Sequence, residues 1–230
     1  MEFAGVFGKY EQDPKALKAF LQKQGLVVSG AHVGFDKLTQ DKIDATLSFY
    51  KTLGANYLII PWDDRSWQPD GVMEVVNELN ELLPQINASG LAFGYHNHAE
   101  EFNEFKSQTY WDYIAQNTDE NMVLQLDIGW VNFAGKDPIH YVKEYEGRTL
   151  TTHYKVRTHD GLNKDGKALS PIIGEDGYDW TELFNVMKEF GGTKWIILEQ
   201  EEYPNGLTSV EAVEQSKQGL DKLLSEVNRK

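Results

Sequence analysis

Four side chains with metal-ligand chemistry, His96, Asp127, His153 and Glu199, lie in or directly after four apolar runs of the chain. Short continuous apolar runs are typical of buried parallel strands. In a β/α barrel, a charged residue at the carboxyl end of such a strand points into the mouth where chemistry is done. The four runs occupy residues 91–98, 122–130, 149–156 and 195–201. The spacing therefore predicts one site built from several strands.

A divalent cation is the partner that these side chains need. Burying the carboxylate of Glu199 without a partner would cost several kcal/mol, and grouped carboxylates repel one another. The chain contains no cysteine, so the ligands are imidazole and oxygen. That donor set suits Mn, Mg, Co, Fe or Zn. The predicted ligands are His96, Asp127, His153 and Glu199, with Glu101 as the alternative to His96.

Further polar and aromatic residues near the strand ends are candidates for catalysis and substrate binding. Glu199 is the predicted base as well as a ligand, and Lys155, two residues after His153, is predicted to face the same side. A lysine there polarises a carbonyl or holds an anion, unless it is an exposed lysine that extends into solvent. His98 and Glu101 complete the catalytic candidates. His32, Trp62 and Trp130 are predicted to contact substrate, with core packing as the alternative for the aromatics.

Strand-like runs and amphipathic helical segments alternate along the whole chain, which is typical of parallel βαβ units. Asp-Pro pairs at 13–14 and 137–138 predict helix starts, and Pro84 predicts a kink or break in a helix over about 70–88. Seven strand–helix units are visible, whereas a TIM barrel has eight, so the first unit is missing from the pattern. We expect residues 1–230 to form a single TIM-barrel-like domain, because no linker or low-complexity stretch occurs.

Composition narrows the class of partner. The chain has 230 residues, 22 basic and 36 acidic, with a formal net charge of −14. Such a charge disfavours nucleic acids and anionic membranes. No apolar run approaches the ~18 residues of a membrane span, and the first residues lack the features of a signal peptide. We therefore expect a cytoplasmic protein that binds a small molecule, with homo-oligomerisation left open.

Five motifs together resemble the xylose-isomerase-like TIM-barrel superfamily, and specifically the bacterial sugar phosphate isomerase/epimerase group. They are YHNHAEEF (95–102), LDIGWVNFAGKDP (126–138), GRTLTTHYKV (147–156), GEDGYDW (174–180) and LEQEEY (198–203). The resemblance implies a barrel with a divalent ion at its carboxyl-terminal mouth. It also implies activity on sugars or polyol-derived ketoses, by isomerases, epimerases or dehydratases.

The predicted function is a metal-dependent sugar or sugar phosphate isomerase or epimerase that forms a cis-enediolate. In this chemistry the ion acts as Lewis acid and template while a carboxylate moves the proton α to a carbonyl. Two alternatives remain: a keto-polyol or 3-keto-sugar dehydratase on the same site, which would make the protein a lyase, and a non-catalytic sugar-binding relative.

Overall fold

The computed structural model describes residues 1–158 and 169–227. Close contacts between Cα atoms divide the chain into two compact units. The first contains Met1–His96 and Phe105–Leu124, and the second contains Asn97–Glu104 and Gln125–Lys230. The prediction of a single domain over 1–230 stays a prediction.

Parallel strands run in chain order through the first unit. The strands β1 to β4 lie side by side in parallel, in chain order. Val123 and Leu124, the first two residues of the strand β7 (Val123–Asp127), also belong to this unit. Gly94 of β4 is a glycine for a packing reason: a Cβ there would lie 2.3 Å from the carbonyl oxygen of Val123. The strands are β1 (Glu2–Phe3), β2 (Gly30–His32), β3 (Tyr57–Ile60) and β4 (Ala92–His96), and the helices are α1 (Pro14–Lys23), α2 (Ile43–Leu53), α3 (Gly71–Ala88) and α4 (Tyr110–Asn117).

Helix starts in the first unit follow the capping rules. The side chain of Asp13 accepts a hydrogen bond from the backbone N–H of Ala16, and Pro14 is the first helical residue of α1. The helix α3, in contrast, continues unbroken through Pro84, so the predicted break does not occur. Packing explains this, because six apolar side chains of α3 are buried and hold the helix together.

The second unit contains the end of β7 and two further parallel strands, in the order β7, β8, β9. The short strand β5 (Glu104–Phe105) belongs to the second unit only through Glu104, and its partner β6 (Gln108–Thr109) belongs to the first unit. The other elements of the second unit are β7 (Val123–Asp127), α5 (Ile128–Phe133), α6 (Pro138–Glu144), β8 (Thr151–Tyr154), α7 (Trp180–Val186), β9 (Trp195–Leu198) and α8 (Ser209–Val227).

Two features of the second unit differ from the sequence expectations. The helix α5 begins directly after β7, within the run 122–130 that was expected to be a strand. All four residues of β9 are half-buried, although this run was expected to be fully buried. Within the described residues, β9 pairs with β8 alone, which leaves it less covered than a central strand.

The seven parallel strands found in residues 1–158 and 169–227 match the seven strand–helix units that the sequence predicts. This succession of parallel strands and helices agrees with the predicted β/α class. None of the helices in these two ranges has the length and apolar character that a bilayer crossing requires.

Candidate active site

Asp127, His153 and Glu199 come together in the second unit. One potential ligand atom from each lies within 4.8 Å of the other two. The Nδ1 of His153 is 2.8 Å from Oε2 of Glu199 and 4.0 Å from Oδ2 of Asp127. The strand register explains the meeting, because Asp127 of β7 pairs directly with His153 of β8, and Glu199 directly follows β9.

One oxygen of the Asp127 carboxylate is held by the backbone of Trp130. Its Oδ1 accepts a hydrogen bond of 3.0 Å from the N–H of Trp130, which makes Asp127 the N-cap of α5. The buried Asn97 holds the same residue from the other direction, because its Oδ1 accepts a 2.9 Å hydrogen bond from the N–H of Asp127. The oxygen Oδ2 of Asp127 is thereby left to face the other side chains of the site.

Lys155 lies among three carboxylates. Its Nζ is 3.0 Å from Oδ2 of Asp127, 2.9 Å from Oε2 of Glu199 and 3.0 Å from Oε2 of Glu201. The side chain is only 2% exposed, so the alternative of a lysine extending into solvent is wrong. The stem passes so close to Gly129 that a Cβ on this glycine would lie 2.6 Å from Cγ of Lys155.

A second ion pair, between Arg157 and Glu201, shares the Glu201 carboxylate with Lys155. The parallel pairing of β8 with β9 sets Tyr154 beside Leu198, and its continuation brings Lys155 beside Glu199 and Arg157 beside Glu201. The guanidinium carbon of Arg157 also lies 3.9 Å from the centre of the Trp130 ring, a cation–π contact. This face of Trp130, predicted to stack on a sugar, is covered by Arg157.

Burial and charge act on the carboxylates in opposite directions. Burial raises the pKa of Asp127 above its ordinary value, and the nearby Lys155 and His153 offset this only in part. Burial would also raise the pKa of Glu199, but the hydrogen bond from His153 and the charge of Lys155 outweigh it and lower that pKa. Glu199 is therefore an anion throughout the neutral range.

His98 and Glu101 occupy the segment after β4. The strand β4 ends at His96, so the alternation of its side chains between the two faces of the sheet does not extend to His98. The ring of His98 lies 5.4 Å from that of Trp130, and the buried Glu101 accepts a 2.8 Å hydrogen bond from the N–H of His98. Glu101 is outside the group of three ligands. Its role as ligand or base, and that of His98 in catalysis, stay predictions.

The remaining candidates lie in the first unit. His32 and His96 end β2 and β4, with ring centres 4.9 Å apart, and Nε2 of His32 is 3.2 Å from Oε2 of Glu2. Trp62 follows β3, is 55% exposed, and donates a hydrogen bond from its indole to Asp64. The predicted roles of His96 as a fourth ligand and of His32 and Trp62 in substrate binding stay predictions.

The group of Asp127, His153 and Glu199 fits a divalent cation. One imidazole and two carboxylates are a common donor set for divalent transition-metal ions such as Zn²⁺, Fe²⁺ and Mn²⁺. The oxygens that an ion would bind already face a cation, the ammonium of Lys155. The site is therefore built for positive charge.

Sequence reasoning missed three residues of this site: Asn97, Arg157 and Glu201. A signal for two of them was present, because Arg157 and Glu201 continue the two-residue alternation of His153, Lys155 and Glu199 beyond the strand ends. Asn97 had no such signal, since it bonds the backbone of Asp127, a contact that only tertiary structure reveals.

Comparisons with known proteins agree with this architecture. The sequence profile described as xylose isomerase-like TIM barrel matches residues 1–225. An inosose dehydratase of Geobacillus kaustophilus (strain HTA426) is 22% identical over 250 residues, covering 94% of this chain and 80% of that protein. The crystal structure of a sugar phosphate isomerase/epimerase from Parabacteroides distasonis is similar with a TM-score of 0.77 at 24% identity, covering 97% of this chain and 86% of the other.

A third similar structure contains a metal. The crystal structure of the IOLI protein with a binding zinc atom has a TM-score of 0.66 and 17% identity to this chain, with 94% and 83% of the two chains covered. At this level of identity the two crystal structures show the fold alone. The sequence profile, in contrast, spans nearly all of the chain. The protein therefore belongs to the xylose isomerase-like TIM barrel family.

Proposed function

We propose that this protein is a metal-dependent enzyme that removes the proton α to the carbonyl of a sugar or a polyol-derived ketone. The observation that carries this proposal is the group of Asp127, His153 and Glu199, whose ligand atoms lie within 4.8 Å of one another. A divalent ion bound by them would supply Lewis-acid polarisation of the substrate carbonyl.

The side chains of the site have separable tasks in this reaction. Glu199 is an anion with one-third of its side chain exposed, so it can accept the proton from the substrate carbon. Lys155 carries a positive charge in the site, in contact with Glu199 and Glu201, and can donate a hydrogen bond to a substrate oxygen as negative charge develops. Asn97 and the N-cap at Trp130 keep the carboxylate of Asp127 in place.

Isomerisation or epimerisation through a cis-enediolate is the leading form of the reaction. In epimerisation the abstracted proton returns to the opposite face of the same carbon. In isomerisation it returns to the neighbouring carbon, and a hydroxyl proton moves from one oxygen of the enediolate to the other. The five sequence motifs that resemble those of the sugar phosphate isomerase/epimerase group favour this form.

Dehydration of a keto-polyol is the second candidate, and one observation favours it: the curated relatives of this chain are inosose dehydratases. The same α-proton is removed, and the electron pair then expels a β-hydroxyl as water. His98, whose ring lies beside that of Trp130, is our candidate acid for the leaving hydroxyl.

One experiment separates the two forms and tests what they share. Purified protein loaded with Mn²⁺ is incubated in deuterium oxide with a panel of ketoses and inososes, and substrates are followed by NMR and ultraviolet absorbance. Deuterium at the α carbon indicates proton abstraction, and a rising enone absorbance indicates dehydration. Metal-stripped protein and the variant D127N are the controls. If neither signal arises with any compound, the proposed function is wrong.

A further inference from the structure

Lys155 occupies the position of a resident cation in the candidate metal site. Its ammonium touches the carboxylates of both Asp127 and Glu199, two of the three candidate ligands, at 3.0 and 2.9 Å. The side chain is 2% exposed and its stem packs against Gly129, so the stem is held in place and the ammonium can change partners only within the site. A divalent ion and this ammonium would therefore compete for the same two carboxylates.

The N-cap of α5 makes that competition unavoidable at Asp127. Its Oδ1 is engaged by the N–H of Trp130, so Oδ2 is the oxygen left for an ion. Oδ2 is also the oxygen that faces Lys155. Asp127 is fully buried, and its backbone is held by Asn97, so the carboxylate has little room to turn and offer another atom.

Glu201 is a further acceptor for the ammonium of Lys155. Its Oε2 lies 3.0 Å from Nζ of Lys155 and also binds Arg157. Glu201 is outside the group of three ligands, and its side chain is 39% exposed. An ammonium that gives up Asp127 and Glu199 can therefore keep this third carboxylate without leaving the site.

We propose that Lys155 is an internal competitor of the divalent ion and that Glu201 is a positioning residue that accepts the ammonium when the ion binds. The proposal rests on the metal site of the proposed function and adds what sets its affinity. In the metal-free protein the lysine neutralises the buried carboxylates. In the metal-bound protein the ammonium remains on Glu201, next to the reaction centre, where it can serve a substrate oxygen.

Calorimetric titration of the full chain with Mn²⁺ alone tests this proposal. We expect Lys155→Met to bind Mn²⁺ at least tenfold more tightly than the unmodified protein, because the competing cation is gone. Glu201→Gln is expected to bind at least threefold more weakly, because the ammonium loses its alternative acceptor. In the double variant the effect of Glu201→Gln is expected to disappear. Lys217→Met removes an exposed lysine paired with Asp221 and is the matched control, with unchanged affinity.

The double variant distinguishes a positioning role from simple charge attraction. If Glu201→Gln weakens Mn²⁺ binding equally with and without Lys155, Glu201 acts on the ion directly and the proposal is wrong. Unchanged or weaker binding by Lys155→Met also overturns it. If Lys155→Met does not fold, Glu201→Gln and Glu201→Asp decide: the first must weaken binding and the second must restore at least half of the loss. Mn²⁺ binding by the unmodified protein without deuterium exchange would contradict the proposed function and leave this inference standing.

Discussion

Replacing Asp127 with asparagine separates the cost of burying its charge from the function of that charge. The side chain is fully buried, and burial raises its pKa, so the ionised form opposes folding. Asparagine keeps nearly the same volume and can still accept the hydrogen bond from the N–H of Trp130. Lys155 loses one carboxylate but keeps Glu199 and Glu201.

The magnitude follows from these contacts. Breaking a buried ion pair costs about 3–5 kcal/mol when it leaves an uncompensated charge, and here the charge of Lys155 stays compensated. We therefore expect the free energy of unfolding of the metal-free protein to change by no more than about 1.5 kcal/mol. Alanine at the same position also removes the helix cap and should cost about 1 kcal/mol more.

The function of the charge should respond quite differently. If Asp127 is a ligand as proposed, its replacement should weaken Mn²⁺ binding by at least ~100-fold, more than the 10–100-fold that removal of an outer partner costs. Chemical denaturation without metal and calorimetry with Mn²⁺ give the two numbers on the same preparation. The pH dependence of stability follows from the raised pKa of Asp127. The cost of burying its charge is absent below the unfolded pKa, near 3.9, and it grows as the pH rises through the folded pKa. A loss of about 3 kcal/mol or more in D127N at neutral pH would refute this reasoning.

Three further substitutions test the supporting structure. Asn97→Leu removes the acceptor for the N–H of Asp127 and should cost about 1–3 kcal/mol in urea denaturation, whereas an unchanged midpoint would mean that the hydrogen bond is not needed. Gly129→Ala gains helix propensity of about 1 kcal/mol but places a Cβ 2.6 Å from Cγ of Lys155, so crowding should lower the thermal midpoint, and a rise would contradict this packing. Pro84→Ala, at an exposed position inside α3, should stabilise the protein by about 1–3 kcal/mol. A thermal scan measures this gain, and an unchanged thermal midpoint would contradict the prediction.

Much of the architecture could be predicted from local patterns. The Asp-Pro pairs mark the starts of α1 and α6, as the structure confirms, since capping involves only neighbouring residues. The helix α5 was not predicted, although its cap on the N–H of Trp130 is equally local, because its first turn continues the apolar run 122–130 and contains a glycine, Gly129. Of the kink or break predicted at Pro84, the break does not occur, since burial of the apolar face of α3 outweighs the local preference of proline.

The candidate site divides in the same way. Residue type and position at strand ends were enough to select Asp127, His153 and Glu199, because parallel strands carry their carboxyl ends to one edge and the structure brings these three together in the second unit. The contacts of Lys155 with three carboxylates, and the stacking of Arg157 on Trp130, could not be predicted in this way.

The amino-acid sequence by itself determined the succession of strands and helices and the chemical types available at the strand ends, since both are local properties of the chain. Tertiary structure alone decided which charges neutralise one another. The register between β8 and β9 brings Lys155 beside Glu199 and Arg157 beside Glu201. A shift of one residue would turn these side chains to the opposite face, so the electrostatics of the site depends on strand pairing as well as on the residues themselves.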